Sequence, residues 1–466
     1  MKCIPIALCL AALSQAQPVD RSRAPGSPEA RLWKLPSVFE TRLPNGITLV
    51  LVDDRRVPLV TMRLAFPCGN RRDPKALPGL ASAVADMLMQ GTATKTFAEI
   101  AEEIDALGAT MTVASGADQI VLAGSVIADN LPGLLEIASD VARNSSFPEL
   151  ELRLFKQNRT QILARQRAQS GVIANEEFRR AIFGEHPYAH TGPTAAAIDH
   201  MDRNALIDYR DTYFVPNNSF LVLVGRLPAR GQVLKSIEDR FGSWQRTTLP
   251  ASVDDVPLPP APKQRLIVVD RPGSVQADIH LGKIVATQRD PDYAAMTLAS
   301  VIVGSVPMGR MFLDIREKLG LAYDVRAEQA AFDNAGIFAV VTQVRNDGVA
   351  NALQAILDHL DRMAKELVTS RELADAKTSA SSAFLLRLEP QAGLADALVT
   401  LHVQHLPPDS IETFTARIEA VTAEQVRQAA KKYLAAGNDA IVVVCDAAKV
   451  GPQLQKLGTF ETIMAK

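Results

Sequence analysis

Blocks of apolar residues along the chain change period in a way that separates strands from helices. Asn45-Gly46 is a tight-turn signal leading into the apolar run Ile47–Val52, and a second run follows at Leu59–Phe66. Leu80, Val84, Met87 and Leu88 then recur at helical spacing. Pro78 stands near the first turn of that helix and Gly91 just past its end. Thr96-Phe97-Ala98-Glu99 reads as a capping box opening a second helix, predicted to bury Phe97, Ile100, Ile104 and Leu107. Gly108 ends this helix, and strands are expected around Thr110–Ala114 and Ile120–Ser125.

The same order returns in the second half of the chain. Strand Leu266–Val269 ends at Asp270 as Leu49–Val52 ends at Asp53, and Arg-Asp-Pro follows at 289–291 as it does at 72–74. The aspartates are twenty residues apart in both places. Each copy continues with a helix, then a second helix ending in Leu-Gly, at 107–108 and 319–320. Tyr213 precedes strand Leu221–Val224 by eight residues, and Tyr433 precedes Ile441–Val444 by the same interval. Four matches in order imply an internal duplication. The expected fold is α+β, two homologous halves of mixed helices and antiparallel-rich sheet, with helices packed on one sheet face. The halves are placed at 39–248 and 263–466, joined by the proline-bearing linker 249–262.

Composition changes this picture only at the N-terminus. With 466 residues, 47% hydrophobic and 22% charged, the chain is an ordinary globular one, long enough for more than one domain. A net charge of −2 without a basic, aromatic-studded stripe argues against nucleic-acid binding. Lys2, the apolar run Ile4–Leu13 and Ser14-Gln15-Ala16 read as a signal peptide over 1–16. A polar extension follows to residue 38, and the apolar run is too short to span a bilayer. The mature protein is therefore expected to be exported, periplasmic and without a membrane span. Cys3 and Cys9 would leave with the signal; Cys68 and Cys445 are expected as buried thiols.

The run Leu77 to Thr92 resembles the zinc helix of pitrilysin- and insulinase-type peptidases. So do His186-Pro187-Tyr188, Pro216-Asn217-Asn218 and Arg316 to Tyr323. Active members carry H-x-x-E-H on that helix, two zinc-binding imidazoles around a general base, with a later Glu as third ligand. Here the corresponding residues are Ser82, Ala85 and Asp86, with the third ligand falling near Gln161. Ala85 offers no proton acceptor and Gln161 only a neutral amide, so no zinc is expected in this chain. His186 with His190, and His402 with His405, lack a partner at a recognised metal spacing and read as structural or surface histidines.

The resemblance further implies that Arg316 and Tyr323 contact a substrate carbonyl and stabilise its oxyanion, for which a guanidinium and a phenol are suited donors. It implies a clamshell architecture and a homologous zinc-bearing partner, with peptides as substrates. Three alternatives stay open: a stand-alone peptide-binding protein, a structural subunit, and a metal centre built from Asp86 with loop histidines. Gly304 to Gly309 reads as a turn between helices that needs positive φ at glycine.

Overall fold

The computed structural model describes residues 34–250, 256–259, 264–307 and 309–465. The leader and nearly all of the extension lie outside them, as does most of the linker 249–262. Leu35–Lys466 forms one compact unit.

Two six-stranded sheets organise that unit. The first contains β1 (Val38–Arg42), β2 (Thr48–Asp53), β3 (Leu59–Phe66), β4 (Thr110–Ser115), β5 (Ile120–Ile127) and β6 (Phe220–Gly225), in the order β1-β2-β6-β3-β5-β4. The second contains β7 (Arg265–Asp270), β8 (Gln276–Val285), β9 (Ala322–Ala331), β10 (Gly336–Arg345), β11 (Ala440–Cys445) and β12 (Glu461–Met464), in the order β12-β7-β11-β8-β10-β9. Five strands correspond one to one, including the parallel pairs β2–β6 and β7–β11. The duplication breaks at one edge. There β1 enters from the N-terminal side, antiparallel to β2, whereas β12 arrives from the C-terminus, parallel to β7.

The central strands are apolar on both faces because both are covered. Leu221 and Leu223 of β6 point into the core of the first half, and Ile441 and Val443 of β11 into the core of the second. The opposite faces are covered by exchange, which corrects the expectation of helices on one face. Helix Ser170–Phe183 of the first half packs Phe178 and Ile182 with Val442 and Val444 of the second sheet. Reciprocally, helix Gln391–Val403 of the second half lies on β3 and β6 of the first sheet. There Arg63 donates to Asp396 at 2.7 Å, and His402 stacks on Phe220.

Local signals appear largely where expected. The helix after the first Arg-Asp-Pro is Leu80–Met87, and the capping box at Thr96 is complete. Gly108 and Gly320 both terminate their helices at φ +59°. Phe97, however, is half exposed, because it occupies the first helical position and stands beyond the core that Ile100 and Ile104 reach. The helices around Gly304 are also not ordinary: Val301–Ser305 and Phe312–Lys318 are π-helical. Gly304 has φ 174°, an extended backbone that any residue can adopt. The two glycines serve close approach instead, since a Cβ on Gly309 would lie 2.7 Å from the Gly304 Cα.

Candidate functional site

Helix Leu80–Met87 is held at its start by Asp73, whose carboxylate accepts from the backbone N–H of Gly79 (2.6 Å) and of Ala81 (2.7 Å). Gly79 adopts φ +89° with Pro193 packed against it, a position closed to any side chain. Burial pushes the Asp73 carboxyl up to about 7, against the pull of the two N–H groups. Asp73 was legible as part of a repeat, but its bond to a helix start six residues on exceeds ordinary capping spacing and left no local signal.

On this helix Ser82 donates to Asn70 Oδ1 at 3.1 Å, and Ser115 at the end of β4 donates to the same oxygen at 3.0 Å. The helix is thereby tied to an edge strand through an amide. Ala85 is buried and bears no polar atom. Asp86 is solvent-accessible, with its carboxyl raised by partial desolvation and lowered by Arg159 from helix Glu149–Arg167. Gln161, two residues beyond Arg159 on that helix, is exposed. Ser82, Ala85, Asp86 and Gln161 offer one carboxylate, a hydroxyl already engaged, and a neutral amide, which does not fit zinc. Among the described residues no three His, Cys, Asp or Glu side chains cluster to hold a metal.

In the histidine pairs, His186 is buried and His402 half-buried, whereas His190 and His405 are exposed. A ring nitrogen of buried His186 accepts the Tyr188 N–H at 3.2 Å, and burial lowers its pKa. Burial also lowers that of His402. Tyr188 in turn donates to Asp118 at 2.5 Å, and Asp118 accepts the backbone N–H of Asp333 from the other half at 3.0 Å. Arg71 and Arg289 both pair with Asp333, at 3.0 and 2.8 Å. His-Pro-Tyr therefore belongs to the seam between the halves. Cys68 and Cys445 are free, buried thiols.

Beside Arg159, a polar cavity of about 590 Å³ opens between helix Glu149–Arg167 and the β8–β10 face of the second sheet. His280 on its wall is held neutral, pushed down to about 4 by burial.

Arg316 and Tyr323 come together. The Arg316 guanidinium lies between the Phe312 ring (4.6 Å) and the Tyr323 ring (4.9 Å), and Tyr323 is 84% exposed. Tyr323 sits at the start of β9, an edge strand. Among the described residues, no hydrogen bond or ion pair joins this pair to helix Leu80–Met87. The π-helix carrying Arg316 is fixed by Asp314, which bonds His359 at 2.9 Å, and the adjoining Arg310 pairs with Glu372 at 2.7 Å. Neither clamp was foreseen. Only Glu372 carried a signal, as the last member of the capping box opened by Thr369.

A model of the insulinase peptidase family, M16, matches residues 48–190, and a model of the M16 peptidase inactive domain matches residues 200–380. The chain belongs to the M16 peptidase family. An uncharacterized zinc protease of Rickettsia felis is 23% identical over 390 residues, 82% of this chain and 92% of its own length. One from Bacillus subtilis is 23% identical over 350 residues, covering 74% and 83%. In structure the chain is similar to an M16 inactive domain from Pseudomonas fluorescens, with TM-score 0.82, 25% identity and coverage of 87% and 98%. A protease from Helicobacter pylori superposes at TM-score 0.80 with 17% identity, covering 88% and 100%. This M16 chain therefore has the family's fold but lacks its catalytic motif. No helix among the described residues is long and apolar enough to cross a membrane.

Proposed function

We propose that this chain is the non-catalytic, substrate-binding member of an exported, heteromeric zinc peptidase acting on peptides. A homologous M16 partner supplies the zinc and the general base, and this chain supplies Arg316 and Tyr323 to the partner's site. The reading rests on a contrast. The zinc-helix positions are filled by Ser82, Ala85 and Asp86, while the guanidinium–phenol pair is retained, ordered by stacking and open to a partner. Both groups can donate to a developing oxyanion. The edge strand β4, tied to the degenerate helix through Asn70, offers unpaired backbone to an extended peptide.

The test is co-expression with an M16 homologue from the same genome that carries H-x-x-E-H. Peptide cleavage is expected from the pair and not from either chain alone. Replacing Arg316 by Ala or Tyr323 by Phe should lower kcat about a hundredfold while leaving association intact. Failure to associate, or full activity in both variants, removes the proposal. Export is read from the 1–16 leader, so the mature N-terminus in a periplasmic fraction should be Gln17.

A second reading is favoured by the polar cavity beside Arg159, which would let the chain hold peptides alone. Saturable peptide binding by the isolated chain, with no cleavage on adding the zinc-bearing partner, would select it.

A further inference from the structure

The polar cavity between helix Glu149–Arg167 and the β8–β10 face carries a charge pattern that narrows what it can hold. Its volume of about 590 Å³ is in the range of small-molecule sites. Five charged residues line it: Arg159, Glu176, Asp278, Arg326 and Glu328. Three of them are paired within the chain. Arg326 lies between Asp324 and Glu328, at 2.8 and 2.7 Å, and Glu176 pairs with Arg167 at 2.7 Å. Arg159 and Asp278 are left, one of each sign, on opposite walls.

Asp278 is only 9% exposed, yet half of its carboxylate is unused. Oδ2 serves the fold, accepting from the Ser170 hydroxyl at the start of helix Ser170–Phe183 and from Gln343 Nε2 at 3.1 Å. Oδ1 accepts from no described residue, and no cation pairs with the group. His280 stands two residues along β8 on the same face, 8% exposed, and its ring makes no hydrogen bond among the described residues. Neither Oδ1 nor a ring nitrogen of His280 is sealed in the interior, so each is open to the cavity that these residues line. A buried polar group left open in this way is satisfied by what enters. Burial keeps His280 uncharged, so it does not repel a cation held by Asp278. On the other wall the half-buried Arg159 guanidinium has neither ion pair nor hydrogen bond among the described residues, although Asp86 feels its charge.

A ligand with one charge would leave Arg159 or Asp278 unmet, and an internal stretch of a long peptide carries neither charge on its backbone. Strand addition is also closed here, because β8 is hydrogen-bonded to β10 on one side and β11 on the other. A short zwitterion with amides between its ends fits both walls. We propose that this cavity binds short free peptides by their two ends, the C-terminal carboxylate accepting from Arg159 and the N-terminal ammonium donating to Asp278 Oδ1. Gln166, Gln169, Asn175 and His280 are the neutral groups that meet the peptide amides between. The ligands are then products of proteolysis rather than intact chains. The inference deepens, and rests on, the second reading above, that the chain holds peptides by itself.

The test is calorimetric titration of the full chain, without a partner, with tetra-alanine, its N-acetyl form, its C-terminal amide and a long peptide blocked at both ends. One saturable site is expected for tetra-alanine, with each blocked form about tenfold weaker or worse. Arg159→Met should weaken free tetra-alanine by a similar factor and leave the amide unchanged. Asp278→Asn keeps an acceptor for Ser170 and Gln343; it should weaken the free peptide likewise and leave the N-acetyl form unchanged. The blocked peptides probe the same two contacts without altering the fold, so the test stands even if a variant unfolds. Free and blocked tetra-alanine binding equally, or only the long peptide binding, overturns the two-ended site and leaves the second reading in place. No saturable binding by any of the four overturns both.

Discussion

Asp73 illustrates how one buried carboxyl couples helix position to pH. Its folded value of about 7 lies above that of an exposed aspartate, so between about pH 4 and 7 the folded chain binds a proton that the unfolded chain does not. Stability from this group is therefore fully present below the unfolded value and is lost as pH rises through the folded one. Asp73→Asn keeps an acceptor for Gly79 or Ala81 but cannot ionise. Urea unfolding at intervals from pH 4.5 to 8 should show wild type falling relative to the variant up to about pH 7, then a constant difference. A difference that is flat with pH would mean that Asp73 is charged throughout. Tyr188→Phe probes a second buried carboxylate. It leaves Asp118 without its 2.5 Å donor while retaining the ring, at an expected cost of about 1–3 kcal/mol in denaturant unfolding.

The exchanged helices make the corresponding prediction at the scale of elements. Leu398 is buried on helix Gln391–Val403, whose packing surface is the sheet of the other half. Leu398→Ala should therefore destabilise the whole chain by about 2–5 kcal/mol, as a core truncation does, although it alters neither half's own core. A loss below about 1 kcal/mol in urea unfolding would show that this helix is peripheral. The exchange also marks where sequence reading stopped. Strands, caps and the Leu-Gly stops were legible because each depends on a few adjacent residues, as at Thr96 with Glu99 and at Gly320. The empty zinc motif at Ser82, Ala85 and Asp86 was legible because that chemistry requires particular residue types on one helix turn. Double-sided burial of β6 and β11 was written in their unbroken apolar runs, but a run does not say whose helix covers it. The π-helical geometry of 301–318 and its clamps at Asp314–His359 and Arg310–Glu372 depend on contacts 45 and 62 residues apart, to which no periodicity points.

Two homologous halves would ordinarily suggest two domains that fold separately, and the seam argues otherwise. The outer face of the second sheet, with Val442, Val444 and Ile267, is buried by helix Ser170–Phe183 of the first half. The outer face of the first sheet, with Val222 and Val224, takes helix Gln391–Val403 in return. Separating the halves would expose both apolar faces and strip both helices of their packing, at about 25 cal/mol for each Å² of apolar surface uncovered. It would also break the pair of Arg71 with Asp333 at 3.0 Å and the bond from the Asp333 N–H to Asp118 at 3.0 Å, leaving Asp118 with Arg71 and Asp333 with Arg289. These two contacts tie buried charged groups of one half to those of the other. Residues 39–248 and 263–466 expressed alone are therefore expected to be aggregated or molten, with little near-ultraviolet circular dichroism and strong binding of hydrophobic dyes. Co-expressed as separate chains they should assemble into a soluble complex with native spectra. The intact chain should unfold in a single calorimetric transition in which the calorimetric and van't Hoff enthalpies agree. Two resolved transitions, or a soluble and cooperatively folded isolated half, would show that the exchanged helices are dispensable and that the seam can open. In that case the chain could close on a substrate by moving its own halves. A single transition instead leaves closure to movement between this chain and a zinc-bearing partner of the kind proposed.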